Sequence, residues 1–94
     1  RARGHLKLEE RRRLEVHYFA GYRERLGLDR ERLDWQPQLA SVEQLRQSLV
    51  ARGGAWSALA AQNLMCARNQ ELCGLDQRLQ DGDEIAFFPP VTGG

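Results

Sequence analysis

The hydrophobic pattern predicts a strand near the start of the chain. Residues 14–20 (LEVHYFA) alternate in polarity and are rich in β-branched and aromatic side chains, as is typical of a half-buried strand. Because successive side chains of a strand point to opposite faces, the even-numbered residues from Val16 to Ala20 should share one face. His17 and Phe19 should then lie on the other face.

Two short elements are predicted next. Residues 21–28 fit a helical turn that ends at Gly27, since glycine suits the left-handed conformation of a helix end. Residues 30–35 (RERLDW) fit a second strand, and Pro37 stops it because proline cannot donate to a ladder. The pattern therefore begins with two strands joined by a short helical connection.

One helix is clearly marked by its start and its apolar stripe. Ser41 and Gln44 form a capping box, in which the serine hydroxyl accepts from a free amide of the first turn and the glutamine reaches back. Apolar residues recur behind this cap at helical spacing, at Val42, Leu45 and Leu49. Gly53-Gly54 ends the helix, and residues 55–62 fit one more helical turn.

A hairpin is predicted in the second half of the chain. Residues 64–68 (LMCAR) and 71–73 (ELC) flank Asn69-Gln70, and asparagine tolerates the positive φ of a two-residue turn. In that register Cys66 faces Cys73 across the hairpin. A disulfide is geometrically conceivable there, but two reduced, half-buried thiols are the preferred interpretation.

The last predicted strand covers residues 84–88 (EIAFF), after a turn at residues 81–83. Ala86 and Phe88 should face away from the core side of this strand. Pro89-Pro90 ends it, because neither proline can donate to a ladder.

This order of elements predicts an α+β fold. A helix would pack on one face of a mixed sheet of about five strands, whose first and last members are central and parallel, as in the β-grasp fold of ubiquitin. We expect residues 14–90 to form this domain and residues 91–94 to form a flexible diglycine tail. Residues 1–13 are a basic extension, for which a processed or tag-derived start is an alternative explanation.

Composition narrows the classes of function. The chain has 94 residues, of which 41% are hydrophobic and 29% charged, so one soluble cytoplasmic domain is expected. No apolar run approaches the roughly 20 residues of a membrane-spanning helix, and no secretory signal is recognisable. Residues 1–14 hold six basic and two acidic residues, so the remainder is mildly acidic and would attract a basic partner. Neither nucleic acid nor membrane is expected as a partner.

The chain shows no recognisable constellation for metal, cofactor or acid–base chemistry. Structural zinc takes four nitrogen or sulfur ligands, and the two cysteines and two histidines lack such spacing. Asp81 and Asp83 are interpreted as turn formers, because paired-carboxylate catalysis needs a pocket that a small sheet hardly offers. We therefore expect this chain to bind no metal or cofactor.

The C-terminal Gly93-Gly94 is the candidate site of chemistry. Two residues without side chains can enter a narrow channel where a Cβ would clash, so the carboxylate of Gly94 can reach another protein's active site. Adenylation would give this carboxylate a good leaving group. A sulfur nucleophile could then displace AMP and leave a thiocarboxylate.

Several stretches resemble one known family. The ending at residues 81–94 (DGDEIAFFPPVTGG) resembles the C-terminus of the molybdopterin synthase small subunit. Three further stretches resemble the same family, namely Val16-x-Tyr18-Phe19-Ala20-x-x-Arg23-Glu24, Ser41-Val42-Glu43-x-Leu45-Arg46 and Ala67-Arg68-Asn69-Gln70. The resemblance covers residues 14–94, and residues 1–13 lie outside it.

The resemblance implies a sulfur carrier with ubiquitin-like architecture. An E1-like activating enzyme would use ATP to adenylate Gly94, and a sulfur donor protein would load it as a thiocarboxylate. The tail would enter the large subunit of the synthase and donate sulfur to cyclic pyranopterin monophosphate in molybdenum cofactor biosynthesis. The expected assembly is a heterotetramer. The pterin-site residues would belong to the large subunit, so this chain would not be catalytic alone.

A docking surface follows from the predicted strand faces. Phe19 and Phe88 should point away from the helix, and Leu72 on a neighbouring strand should join them, so they form a candidate partner surface. The family's docking patch is similar, and the resemblance extends the partner-binding set along the tail to Pro89, Pro90, Val91 and Thr92.

Two other functions remain open from the sequence. A ubiquitin-like protein modifier would use the same adenylated diglycine but would end in an isopeptide bond to a lysine. A plain interaction module with an inert end is the third possibility. The context FFPPVT before the glycines favours the sulfur carrier.

Overall fold

A computed structural model of the chain describes residues 13–90. Its regular elements follow the predicted order, with one short helix between the first two strands and a 3-10 helix after the main helix. They are β1 (Arg13–Tyr18), α1 (Ala20–Leu26), β2 (Arg30–Asp34), α2 (Val42–Val50), a 3-10 helix (Gly54–Ala60), β3 (Met65–Arg68), β4 (Glu71–Cys73) and β5 (Glu84–Phe88).

The five strands form one mixed sheet in the order β2-β1-β5-β3-β4. The two central strands, β1 and β5, are parallel, and Val16 pairs with Ile85. The other neighbours are antiparallel. First and last strands are therefore central partners, and the predicted α+β, β-grasp architecture is confirmed.

The core lies between one face of the sheet and α2. The helix contributes Val42, Leu45 and Leu49, each at most 1% exposed, so the predicted apolar stripe is confirmed. The sheet contributes fully buried side chains that alternate along the two central strands, namely Leu14, Val16, Tyr18, Ile85 and Phe87. Among residues 13–90, no helix has both the length and the apolar character needed to cross a membrane.

Two details at helix starts differ from the prediction. Ala20 was expected to belong to the first strand. It is instead exposed and begins α1, with a φ of 55°. The strand ends there because Phe19 is the last extended residue and Ala20 adopts a positive φ. At α2, Ser41 Oγ accepts from the Gln44 amide at 3.3 Å, as predicted, but the Gln44 side chain accepts from the amide of Ala40 at 2.9 Å.

The turn of the β3–β4 hairpin has the predicted position and chemistry. Asn69 and Gln70 both have positive φ, at 51° and 71°, as a two-residue turn between twisted strands requires. Arg68 pairs with Glu71 on either side of this turn. The register of the hairpin, and hence the face on which each of its side chains lies, follows from this turn.

Candidate functional site

The face of the sheet opposite α2 is called the open face here. One row of paired residues crosses all five strands on this face, and it shows how the face is built: Leu72, Ala67, Ala86, His17 and Arg30. The row is apolar over β4, β3 and β5 and becomes polar over β1 and β2. The open face therefore has two parts. The apolar half contains Leu72, Phe88 and Phe19, and the charged half contains Glu15, His17 and Glu84.

The apolar half carries the residues that the sequence singled out for docking. Leu72 is 70% exposed and Phe19 is 44% exposed, and these two are the exposed large hydrophobic side chains among the described residues. Phe88 is half-buried and pairs with Met65 on β3. The amide of Phe19 donates to the carbonyl of Phe87 at 3.1 Å, which holds Phe19 against the end of β5. The predicted faces are confirmed; the docking role stays a prediction.

The charged half contains a cluster that the sequence analysis did not identify. Glu15 and Glu84 pair across the parallel strands β1 and β5, and His17 follows two residues after Glu15 on the same face. His17 Nε2 lies 3.9 Å from Glu15 Oε2 and 3.8 Å from Glu84 Oε2. The His17 ring stacks on Phe19 with a centroid distance of 6.1 Å, so the cluster borders the apolar half.

A second unpredicted network joins the hairpin turn to the start of β5. Asp83 is buried and accepts from Arg68 Nε at 2.8 Å, from Asn69 Nδ2 at 3.1 Å and from the Gln80 amide at 2.8 Å. Burial acts to raise the pKa of Asp83, but these hydrogen bonds outweigh it and hold the pKa below its usual value. Asp83 therefore does more than form a turn, because it anchors the β3–β4 hairpin beside the central strands.

The two cysteines face each other as predicted, and both thiols are free. Their sulfur atoms are 3.8 Å apart, and the Cys66 thiol donates to the Cys73 carbonyl at 3.3 Å. Burial, together with the neighbouring Cys73, raises the pKa of the Cys66 thiol to about 12. A neutral, core-facing thiol is a poor nucleophile, so this pair lies outside the candidate chemistry.

The predicted reactive end lies just beyond the described part of the chain. Val91, Thr92, Gly93 and Gly94 are outside residues 13–90, so their predicted roles stay predictions. Pro89 and Pro90 are half-buried and directly follow β5, whose last residue, Phe88, belongs to the open face. The tail is therefore connected to the same strand that contributes Phe88 to the predicted docking surface.

The fold defines the structural class of this chain, and similarity to known proteins defines its family. The helix-backed five-stranded sheet with parallel central strands is the ubiquitin-like β-grasp fold. The sequence profile of the ThiS family matches residues 16–94, which includes both central strands and the diglycine end. The chain belongs to the ThiS family.

Similar proteins of known role cover nearly the same span. The molybdopterin synthase sulfur carrier subunit of Haemophilus influenzae is 44% identical over 82 residues, which cover 86% of this chain and 99% of that protein. The crystal structure of SAMP1 from Haloferax volcanii is 29% identical, with a TM-score of 0.71 over 87% of this chain and 99% of the other.

A second similar structure is a complex of two proteins. It is the complex of subunits 1 and 2 of the molybdopterin-converting factor from Helicobacter pylori. The matching chain is 25% identical, with a TM-score of 0.62 over 87% of this chain and 99% of that one.

Proposed function

We propose that this chain is the sulfur carrier subunit of a molybdopterin synthase and acts in the cytoplasm. The observation that carries the proposal is the 44% identity to the Haemophilus influenzae carrier subunit over 86% of this chain. The diglycine end and the two-part open face supply the chemical and structural features that such a carrier needs.

The reactive group is the carboxylate of Gly94. An E1-like enzyme adenylates it with ATP: the carboxylate oxygen attacks the α-phosphorus and pyrophosphate leaves. A hydrosulfide equivalent from a donor protein then attacks the acyl carbon, the bond from that carbon to the AMP oxygen breaks, and the new carbon–sulfur bond makes a thiocarboxylate. Gly93 and Gly94 permit these steps because neither has a Cβ to block a narrow active-site channel.

The thiocarboxylate is delivered to the large subunit of the synthase. Its sulfur attacks a carbon of cyclic pyranopterin monophosphate and displaces the oxygen substituent of that carbon, so a carbon–oxygen bond breaks as the carbon–sulfur bond forms. Water then cleaves the acyl–sulfur bond to restore the Gly94 carboxylate. Two such donations build the dithiolene. The pterin-binding groups belong to the large subunit, and the sulfur transfer requires no cofactor bound to this chain.

The apolar half of the open face is the proposed docking surface for the large subunit and for the activating enzyme. Leu72 and Phe19 are exposed apolar side chains, and such residues clustered on one face mark a partner surface. Phe88 links this surface to Pro89-Pro90 and to Val91-Thr92 of the tail. The Helicobacter pylori complex of two subunits supports a large-subunit partner, and the proposed assembly is a heterotetramer.

Reconstitution tests the proposal. The thiocarboxylated chain is mixed with the cognate large subunit and cyclic pyranopterin monophosphate, and molybdopterin is measured. We expect product formation that depends on the thiocarboxylate and stops when the loaded chain is consumed. Absence of product with an active large subunit would contradict the proposed function.

A variant pair tests the docking surface separately. Leu72→Glu places a charge in the apolar half, and we expect it to raise the dissociation constant for the large subunit at least about tenfold, because charge is depleted at interface cores. Ala60→Glu is the matched control, since Ala60 is exposed at the end of the 3-10 helix and outside the open face. Equal affinities of the two variants would refute this placement of the docking surface.

A ubiquitin-like protein modifier is the second candidate function. It is favoured by the similarity to SAMP1, a small archaeal modifier protein, whose TM-score of 0.71 exceeds that of the Helicobacter pylori complex. Its chemistry is identical up to adenylation, after which a lysine amine attacks instead of sulfur. The higher sequence identity to the carrier subunit favours sulfur transfer.

A further inference from the structure

Three potential metal ligands converge on the charged half of the open face. One donor atom each from Glu15, His17 and Glu84 lies within 4.8 Å of the other two. The side chains project from the central strands β1 and β5, whose parallel ladder fixes their spacing. Their exposed fractions are 36%, 19% and 30%, so the cluster is partly enclosed but open to a small ion.

At the centre of this cluster, one ring nitrogen of His17 lacks a hydrogen-bond partner among residues 13–90. This nitrogen, Nε2, is buried. The carboxylate oxygens of Glu15 and Glu84 lie 3.9 and 3.8 Å away, which is beyond hydrogen-bonding distance. A buried polar nitrogen without a partner is costly, so its position between two anionic oxygens requires an explanation.

We propose that Glu15, His17 and Glu84 form a binding site for a divalent transition-metal ion, with Zn²⁺ as the representative ion. Zinc bonds to nitrogen and oxygen are about 2.0–2.2 Å long, so at a tetrahedral angle two ligand atoms lie about 3.3–3.6 Å apart, slightly closer than the atoms of this cluster. One ion can therefore reach His17 Nε2 and both carboxylates after small side-chain adjustments. Three protein ligands leave at least one coordination position for water.

The donor set selects the class of cation. Imidazole nitrogen suits zinc, copper and nickel, whereas magnesium and calcium take oxygen ligands. Arg30 and Arg32 on β2 lie opposite His17 and Glu15 in the sheet, and neither forms an ion pair with the cluster in the described structure. Their positive charges counteract the attraction of the two carboxylates for a cation. The bond between the metal ion and His17 is therefore the decisive contribution to the affinity.

The test is a titration of the full chain with zinc chloride. The imidazole nitrogen resonances are followed by two-dimensional NMR while the dissociation constant is measured by calorimetry. We expect one ion per chain and a shift of the His17 Nε2 resonance. Magnesium chloride at the same concentration should cause no such shift. A zinc titration that leaves the His17 resonances unchanged would overturn the proposal.

Variants identify the ligands. His17→Leu and Glu84→Gln should each weaken zinc binding at least about tenfold, since even outer-shell partners of a metal contribute 10–100-fold. Glu71→Gln is the matched control, because Glu71 is an exposed carboxylate on the edge strand β4 and should leave the affinity unchanged. Equal affinities across all three variants would overturn the proposal.

Two other possible zinc ligand sets, the cysteine pair and His5, must be distinguished from this cluster. Cobalt(II) replaces zinc in a parallel titration, because thiolate ligation gives an intense near-ultraviolet charge-transfer band. We expect no such band, and its presence would assign the ion to Cys66 and Cys73 instead. His5→Ala should leave the zinc affinity unchanged, and loss of binding in that variant would also contradict the proposal. The titrations use this chain alone, so their outcome is independent of the proposed sulfur transfer.

Discussion

At the residue scale, burial controls the chemistry of the cysteine pair. Cys66 faces the core at 3% exposure, whereas Cys73 is half-buried on the edge strand. The charged thiolate is disfavoured at Cys66, and burial also raises the pKa of Cys73. Both thiols should therefore remain protonated in the folded chain at neutral pH and contribute to stability as small apolar groups.

This pKa shift makes a prediction about stability at alkaline pH. Unfolded thiols lose their protons near pH 8.5, whereas the folded Cys66 thiol holds its proton to about pH 12. The unfolded state therefore releases protons first, and the unfolding free energy should fall as pH rises above about 8.5, by at most about 1.4 kcal/mol per pH unit for one group. Urea unfolding at pH 7, 8.5 and 10 measures this.

Cys66→Val is the matched control for that experiment. Valine keeps an apolar side chain in the core but cannot titrate, so the loss of stability between pH 8.5 and 10 should be smaller. Cys73 retains its own contribution in this variant. A pH dependence identical to that of the parent chain would contradict the role assigned to Cys66.

At the element scale, successive side chains of β5 lie on opposite faces of the sheet and have different roles. Phe87 is fully buried in the core, and Phe88 faces the open side with partial exposure. One side chain therefore belongs to the core and its neighbour to the proposed docking surface. The strand then leads directly through Pro89-Pro90 to the tail, so one strand connects the proposed docking surface with the proposed reactive end.

Neighbouring alanine substitutions in β5 should separate these functions. Phe87→Ala opens a cavity in the core and should lower the unfolding free energy by about 3–5 kcal/mol. Phe88→Ala should cost less than half as much but should weaken binding to the large subunit. Denaturant unfolding and calorimetric binding measure the two effects. Equal losses of stability would contradict the assignment of the two faces.

The alternation of side chains explains which elements the sequence could predict. Polarity placed Phe19 and Phe88 on the face opposite the core, and the Ser41 cap located the start of α2; both predictions are confirmed. These signals are local, because each depends on residues a few positions apart. Ala20 was assigned wrongly because the polarity pattern of the strand continues past Phe19, whereas the backbone turns into α1 at Ala20.

At the scale of the whole molecule, the missed features depend on distant strand pairing. Glu84 reaches Glu15 and His17 only because β5 lies parallel to β1, and no local pattern in either strand indicates that cluster. Asp83 likewise meets Arg68 only through the β3–β5 ladder and the hairpin turn. Such contacts follow from the register of the sheet, which local alternation does not specify between strands far apart in sequence.

In the domain as a whole, the two faces of the sheet and the C-terminal end have separate roles in this account. One face of the sheet packs against α2 and stabilises the fold, and the open face carries the exposed side chains of Leu72 and Phe19. The proposed chemistry takes place at Gly94, outside the core formed by residues 13–90. In this proposal the folded domain presents the reactive end, and the bond-making groups belong to the partner enzymes.

The most direct test of sulfur transfer is the intact mass of the chain. The full chain is incubated with its activating enzyme, ATP and a sulfur donor, beside a control that lacks Gly94. The mass of the full chain should rise by the exchange of one oxygen for one sulfur, while the control keeps its mass and its thermal stability. Conjugation to other proteins without this exchange, or an unchanged mass with an active enzyme, would contradict the proposed role as a sulfur carrier.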